Sequence, residues 1–336
     1  MSSAISTLTP QMVHYTEELY DDGGLRWLPY AMYFQPRDHR SSYVNTDELG
    51  FRMSTGHDGA QASVGTAPDQ EVNLLVGSSM AFGVGATGDE HTVASRLWSV
   101  HAPDLPWLSV SGRSHNSTQE LITFLLHRHL VPRVRRIVVL SGFNNLGLAR
   151  QPSVAGWDHG GFFQSGEFWE ALSGRRPGWR DLLPRRRGPS LSVADVPRMT
   201  ASDQVARASE MTLRHLEVWR LLASALSAEL SFVLQPLATW VRDQPSPEEQ
   251  QLFDELDAMF SFSDVFGDIL PVPVGRRYAD QLAAGCADLD VPFLDLNPIL
   301  DDESEPERWL FTDRAHLTDA GYDRVARLVA ERAGRA

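Results

Sequence analysis

Five short apolar runs, separated by amphipathic stretches, dominate the hydrophobic pattern of the chain. The runs are "VNLLVG" (72–77), "PWLSVS" (106–111), "RIVVLSG" (136–142), "LSFVLQP" (230–236) and "VPFLDLN" (291–297). Near-continuous apolar runs of this length are typical of strands buried on both faces, as in a parallel sheet. Helical periodicity occupies 91–101, 116–130, 202–229, 275–288 and about 318–333. The alternation predicts a three-layer α/β/α domain around a five-stranded parallel sheet.

Two connections are longer than a strand-to-strand crossover requires. They span about 146–201 and 237–274. Connections of this length in a compact domain usually serve as lids or added subdomains, so we interpret both as insertions. Residues 1–70 contain no clear strand–helix unit and are predicted to form an N-terminal extension packed on the main domain, 71–336.

Composition and charge narrow the function classes. The chain has 336 residues, 42% hydrophobic and 22% charged, which is usual for a globular protein. A formal net charge of −14 argues against nucleic acid or anionic membrane surfaces as partners. All thirty basic residues are Arg, which excludes lysine-based chemistry, and the single cysteine, Cys286, excludes an internal disulfide and a paired-cysteine metal site.

The N-terminal stretch "MSSAISTLTPQMVHYTEELYDDGG" lacks the positive start and apolar segment of a secretion signal. No run approaches the roughly 20 apolar residues of a membrane-spanning helix. We therefore expect a cytoplasmic location and no membrane partner. No feature of the sequence predicts an oligomeric state.

A candidate nucleophile follows the first apolar run. In "GSSMAFG", residues 77–83, small residues allow a tight strand-to-helix turn that would place Ser79 at the end of the strand. A hydroxyl there would lie beside the free N–H groups of a helix N-terminus. A glycine-rich turn with serine as a helix cap would explain the same letters.

A second candidate pair lies near the C-terminus. "FTDRAHLTDAGYDRVA", residues 311–326, places Asp313 and His316 three positions apart, just before an amphipathic helix. The pattern suits a carboxylate that orients an imidazole. A surface turn in which the aspartate accepts from helix N–H groups would also account for it.

The predicted topology brings these segments together. In a doubly wound sheet of order 2-1-3-4-5, the second and third strands flank the first, and ligands bind at the carboxyl ends of the strands. The second strand runs into "SVSGRSHNS", which carries Gly112 and Ser114, and the third runs into "SGFNNL", which carries Asn144. We expect these residues to meet Ser79 at one rim.

These segments resemble the SGNH/GDSL hydrolase superfamily. Its first block corresponds to Gly77, Ser79 and Gly83, its third block to Gly142 and Asn144, and its last block, Asp-x-x-His, to Asp313 and His316. In the weaker second block, Ser114 stands where the family usually has glycine. Two family aspartates are also replaced, one by Ser78 and the other by Asn145.

The resemblance implies a flavodoxin-like fold, a catalytic triad and an oxyanion hole. Ser79 would be the nucleophile, His316 the general base and Asp313 its orienting carboxylate. The N–H groups of Ser79 and Ser114 and the side chain of Asn144 would bind the oxyanion, with the N–H of Gly112 as a fallback donor. The chemistry would require neither a metal nor another cofactor.

The resemblance also implies a small-molecule ester substrate, such as an O-acylated sugar or secondary metabolite. Aromatic residues of the first insertion, Phe162, Phe163 and Trp169, either line its binding cleft or pack the insertion on the sheet. An acyltransferase with the same triad and an inactive SGNH-like binding protein remain alternatives. An α/β-hydrolase fold is the structural rival, although that fold places its acid well before its histidine.

Overall fold

The computed structural model of the chain describes residues 3–19, 25–131, 133–150, 161–166, 168, 199–259, 262–301 and 309–333. Its strands are β1 Arg26–Leu28, β2 Met32–Phe34, β3 Ser54–Thr55, β4 Gln61–Ala62, β5 Glu71–Gly77, β6 Trp107–Ser111, β7 Arg133–Ser141, β8 Glu229–Leu234 and β9 Phe293–Asp295. Its α-helices are α1 Ala4–Leu8, α2 Pro10–Leu19, α3 Ser79–Phe82, α4 Val93–Arg96, α5 Ser117–His127, α6 Phe143–Ala149, α7 Ala201–Leu226, α8 Ala238–Val241, α9 Pro247–Met259, α10 Phe262–Phe266, α11 Val272–Asp288, α12 Asn297–Leu300 and α13 Asp319–Arg332.

Strands β5 to β9 form one parallel sheet in the order β6-β5-β7-β8-β9. Numbered among themselves, these strands have the predicted order 2-1-3-4-5. The register pairs Gly77 of β5 with Ser111 of β6 and with Leu140 of β7. The carboxyl end of β5 therefore lies between the ends of β6 and β7.

The sheet is the centre of the hydrophobic core. The inner residues of β5, Val72 to Val76, are all buried, as the unbroken apolar run predicts. Helices α4 and α13 pack against each other, while α7 packs on α5, α6 and α11. The chain is thus a three-layer α/β/α structure, as expected from the sequence.

The segment before β5 consists of two helices and two antiparallel hairpins, β1–β2 and β3–β4. Its helix α2 contacts the sheet domain directly. Tyr15 and Leu19 share a buried apolar cluster with Val44 and with Phe82 and Val84, which follow the first sheet strand.

The two predicted insertions are unequally described. Between α6 and α7, only residues 150, 161–166, 168 and 199–200 are described, so Trp169 lies outside the described residues. The described part of the second insertion is mostly helical, with α8, α9 and α10. None of the described helices is both long and apolar enough to cross a membrane.

Candidate active site

Ser79 lies at the point where β5 turns into α3. The turn is close-packed on its neighbour, because a Cβ at Gly77 would lie 2.2 Å from the carbonyl oxygen of Leu140. Ser78 is the N-cap residue and Ser79 the first residue of α3. The Ser79 N–H therefore belongs to the first helical turn, where amides have no intrahelical acceptor.

Asp313 organises the turn that carries His316. Its Oδ1 accepts hydrogen bonds from the N–H groups of Ala315 (2.7 Å) and His316 (2.8 Å), and its Oδ2 accepts from His316 Nδ1 at 2.7 Å. The N-cap of the following helix, α13, is instead Thr318, whose hydroxyl accepts from the Gly321 N–H. The carboxylate thus orients the imidazole and does not cap the helix.

The imidazole connects the two candidate segments. His316 Nε2 lies 2.9 Å from Ser79 Oγ, although 237 positions separate the residues. Because Nδ1 donates to a carboxylate, Nε2 carries the lone pair and can accept the serine proton. Burial alone would raise the pKa of the Asp313 carboxyl. The nearby His316 imidazole and the hydrogen bonds that the carboxylate accepts outweigh burial and hold this pKa below its ordinary value.

The loop after β6 approaches the nucleophile from one side. Ser114 has a left-handed backbone, with φ of 58°, and its carbonyl accepts from the Tyr33 hydroxyl at 2.9 Å. The Gly112 N–H donates to the Gly77 carbonyl at 3.3 Å. The Gly112 amide therefore already has an acceptor in β5.

Asn144 approaches from β7, at the second residue of α6. It is buried, and its Nδ2 donates to the carbonyl of His115 at 2.7 Å. An amide nitrogen carries two hydrogens, so this bond fixes the side chain and leaves a second donor. The anchoring carbonyl belongs to the same loop as Ser114.

His115 is a site-supporting residue that the sequence interpretation missed. Its ring is buried, and its Nε2 donates to the Tyr33 carbonyl at 3.0 Å. Burial lowers the pKa of His115 to about 4, so the ring is neutral at neutral pH. Tyr33 thus binds this loop twice, through its hydroxyl at Ser114 and through its carbonyl at His115. The only sequence signal for this role is the position of His115 inside the second block.

The two residues that replace family aspartates have structural partners. Ser78 Oγ donates to Gln235 Oε1 at 3.3 Å. Asn145 Oδ1 accepts from the Ser117 N–H at 3.0 Å, and its Nδ2 donates to Thr212 Oγ1 at 2.6 Å. Asn145 therefore joins the start of α5 to α7 and takes no part in orienting the imidazole.

The aromatic residues predicted to contact substrate lie in different surroundings. Phe162 packs edge-on against Phe168, at a ring distance of 5.4 Å, and Phe168 packs in turn against Trp27 of the N-terminal hairpin. Phe163 approaches Gly147 of α6. These contacts attach the first insertion to the body of the protein. Trp169, the third residue of this prediction, lies outside the described residues.

A cluster of three aromatic rings lies between the Asn144 segment and the turn that carries His316. Phe143, which precedes Asn144, contacts Phe262 and Phe266 at ring distances of 6.3 and 5.5 Å. Arg314, between Asp313 and His316 in sequence, lies 5.8 Å from the Phe262 ring. The cluster Phe143–Phe262–Phe266 therefore connects the Asn144 segment with the His316 turn. No group of His, Cys, Asp and Glu suited to a metal occurs among the described residues.

No protein-family model matches the sequence, and no curated protein matches it. Several solved structures are similar to it in chain fold. A lipolytic protein of the G-D-S-L family from Veillonella parvula is 12% identical over 80% of this chain and 100% of its own, with a TM-score of 0.45. The corresponding values are 12%, 79%, 99% and 0.45 for an extracellular lipase from Streptomyces rimosus. For a carbohydrate acetylesterase from Sinorhizobium meliloti they are 10%, 78%, 97% and 0.42.

Proposed function

We propose that this chain is a serine-dependent ester hydrolase of SGNH type that removes an O-acyl group from a small molecule. The observation that carries the proposal is the continuous hydrogen-bonded series Ser79 Oγ, His316 Nε2, His316 Nδ1 and Asp313 Oδ2, with separations of 2.9 and 2.7 Å. A nucleophile, a base and an orienting acid in this order are the requirement for acyl transfer through serine.

In the acylation step, Ser79 Oγ attacks the ester carbonyl while His316 Nε2 takes the hydroxyl proton. The imidazolium, stabilised by Asp313, passes this proton to the departing alcohol, and an acyl-serine remains. Water then attacks the acyl-serine with His316 again as base, which releases the acid and restores the hydroxyl. Asp313 stays ionised throughout, in keeping with its lowered pKa.

Charge develops on the carbonyl oxygen in both steps. The N–H of Ser79 in the first turn of α3, the N–H of Ser114 and the second amide hydrogen of Asn144 would receive it. Donors that are fixed before the reaction stabilise this oxyanion without reorganisation. The Tyr33 and His115 contacts supply that fixation for the Ser114 loop.

The chemistry around the site favours a neutral or apolar acyl ester. The half-buried rings of Phe262 and Phe266 offer an apolar surface between the Asn144 segment and the His316 turn. The net charge of −14 disfavours a polyanionic substrate. We therefore propose an O-acylated sugar or secondary metabolite as substrate class, with the acyl group against these rings.

Active-site labelling tests the proposal. A fluorophosphonate probe should label the wild-type chain at Ser79, and Ser79→Ala should abolish the labelling without a change in melting temperature. p-Nitrophenyl acetate should be hydrolysed to free acetate by the wild type and not by Ser79→Ala. A folded wild-type chain that neither reacts with the probe nor hydrolyses the ester would instead be a non-catalytic binding protein.

A further inference from the structure

Residues 82–86, here called the nucleophile loop, begin at the last residue of the helix that starts at Ser79. All five of their carbonyl oxygens accept hydrogen bonds from side chains outside the loop. The donors are Arg52 to Phe82 and Gly83, Tyr15 to Gly83 and Ala86, Gln11 to Gly85, and Tyr322 to Val84, at 2.6–3.1 Å. Three of these four donors belong to the segment before residue 70. That segment therefore determines the conformation of the nucleophile loop.

The nucleophile loop is joined to Ser79 through the backbone. The N–H groups of Gly83 and Val84 both donate to the Ser79 carbonyl, at 2.9 and 3.0 Å. A shift of the loop would therefore displace the residue that carries the nucleophilic oxygen.

The same loop touches the turn of His316. At Gly85, where φ is 98°, a Cβ would lie 2.8 Å from both the Leu317 carbonyl and Thr312 Oγ1. The Thr312 N–H donates to the His316 carbonyl at 2.9 Å. The loop thus contacts both the residue that carries the nucleophile and the turn that carries the base, so its position affects the distance between the two.

The Arg52 side chain is fixed by several hydrogen bonds and binds this loop. Its guanidinium is buried and donates to Asp89 Oδ1 at 2.7 Å and to the Tyr43 carbonyl at 2.6 Å, besides the two loop carbonyls. It also donates to the Tyr15 hydroxyl at 2.9 Å. The planar fork of an arginine can bind several acceptors in one fixed geometry, which a lysine cannot reproduce.

We propose that Gln11, Tyr15 and Arg52 are positioning residues for catalysis, which set the geometry of Ser79 relative to His316 through the nucleophile loop. This inference rests on the proposed hydrolase function. Displacements on the order of 1 Å in a catalytic constellation can cost about 100-fold in rate. Because the loop touches both partners, it is the place where such a displacement would arise.

Tyr15→Phe is the decisive variant, because it keeps the ring in its apolar cluster and removes only the hydroxyl, which donates to Gly83 and Ala86 and accepts from Arg52. Well below its melting temperature, it should hydrolyse p-nitrophenyl acetate with a kcat about 10-fold lower and an unchanged KM. The rate constant for fluorophosphonate labelling should fall by the same factor. Arg52→Lys keeps a positive charge near Asp89 but loses the fork, and should behave in the same direction.

Ser63→Ala is the matched control. Like Tyr15→Phe, this variant removes a buried hydroxyl before residue 70. The Ser63 hydroxyl donates to Asp47 Oδ2 at 2.6 Å and not to the nucleophile loop. Its kcat should equal that of the wild type even where its melting temperature is lowered. Amide exchange at Gly83 and Val84 should be faster than in the wild type for Tyr15→Phe and unchanged for Ser63→Ala.

The outcomes separate this inference from the proposed function. If the wild type is labelled and Tyr15→Phe keeps the wild-type kcat and labelling rate, the side chains only stabilise the fold and the positioning role is overturned. If the wild type is not labelled, the hydrolase proposal fails, and the positioning role fails with it. A lowered kcat in Tyr15→Phe with normal Ser63→Ala supports the inference.

Discussion

Ser114 is the residue at which the second motif departs from the SGNH/GDSL pattern that the sequence resembles. Its φ of 58° is a conformation that glycine adopts freely and other residues adopt at a cost of about 1–2 kcal/mol. A glycine, which the SGNH/GDSL pattern has at this position, would adopt this conformation without that cost. A sequence interpretation can identify the position, but the sign of φ depends on the fold around it, including the contact with Tyr33.

Ser114→Gly should leave kcat unchanged, because the backbone N–H that would bind the oxyanion is retained. Glycine relieves the backbone strain of the folded state but gives the unfolded chain more conformational entropy. These effects should offset each other, so the free energy of unfolding should change by less than about 1 kcal/mol. Steady-state kinetics and urea unfolding measure both. A large loss of kcat would mean that the serine hydroxyl, and not the amide, is the donor.

Asn144→Ala should lower kcat by roughly 100- to 1000-fold, with KM little changed, because the lost donor acts on the transition state. The comparison variant is Thr212→Val, which removes a buried hydroxyl that accepts a hydrogen bond from Asn145, the neighbour of Asn144 in α6. This variant should reduce the melting temperature and leave kcat near the wild-type value. Equal kcat for the wild type and Asn144→Ala would remove Asn144 from the oxyanion hole.

Glu120 carries a prediction about stability and pH. Its carboxyl is buried, with Oε1 accepting from Ser141 Oγ at 2.6 Å, and burial raises its pKa to about 8. Between pH 4.5 and about 8 the native state keeps this proton and the unfolded state releases it. The contribution of Glu120 to the free energy of unfolding should therefore fall as pH rises across that window. Glu120→Gln should match the wild type near pH 4.5 and become progressively more stable than it by pH 8. Urea unfolding at both pH values would detect this, and an identical pH dependence would contradict it.

At the scale of elements, the five sheet strands were predictable because strands buried on both faces need unbroken apolar runs. Helices α5, α7, α11 and α13 were predicted from their 3.6-residue periodicity, whereas α2 and α9 were not. The stretch 91–101 is helical from residue 93, as predicted, but its division into the four-residue helix α4 and a π turn, Leu97–His101, was not predictable. The contact of the α10 rings with Phe143 was not predictable from the sequence, because it depends on how the second insertion packs.

Helix α10 leads to a prediction about specificity. Phe262→Ala should widen the space beside the His316 turn. Longer p-nitrophenyl esters should then gain kcat/KM relative to the acetate by about 10-fold. Phe293→Ala is the matched control, since Phe293 is half-buried and stacks on Phe232 at 6.0 Å, within the sheet. That variant should lose stability without a change in the ester preference. The same preference in Phe262→Ala and the wild type would exclude this ring from the acyl site.

At the scale of the whole molecule, the proximity of Ser79, His316 and Asp313 was predictable because these residues lie in short motifs at strand ends and the topology rules bring such ends together. The supporting contacts were not. Arg52, Tyr15 and His115 act through partners that are distant in sequence, and no local pattern distinguishes them from ordinary core residues. We interpret the segment before residue 70 as an integral part of the site, since it holds the nucleophile loop through buried hydrogen bonds.

If that interpretation holds, the N-terminal segment and the sheet domain unfold as one unit. The Arg52–Asp89 ion pair joins them, with both side chains almost fully buried and Nε 2.7 Å from Oδ1. Arg52→Met leaves a carboxylate buried without its cation and should cost about 3–5 kcal/mol, whereas Arg52→Met with Asp89→Asn should cost less than the sum of the two single changes. Urea unfolding followed by tryptophan fluorescence and by circular dichroism should give one coincident transition in every variant. Separate transitions would show that the segment unfolds independently of the sheet domain, and additive losses would show that Arg52 and Asp89 are not coupled.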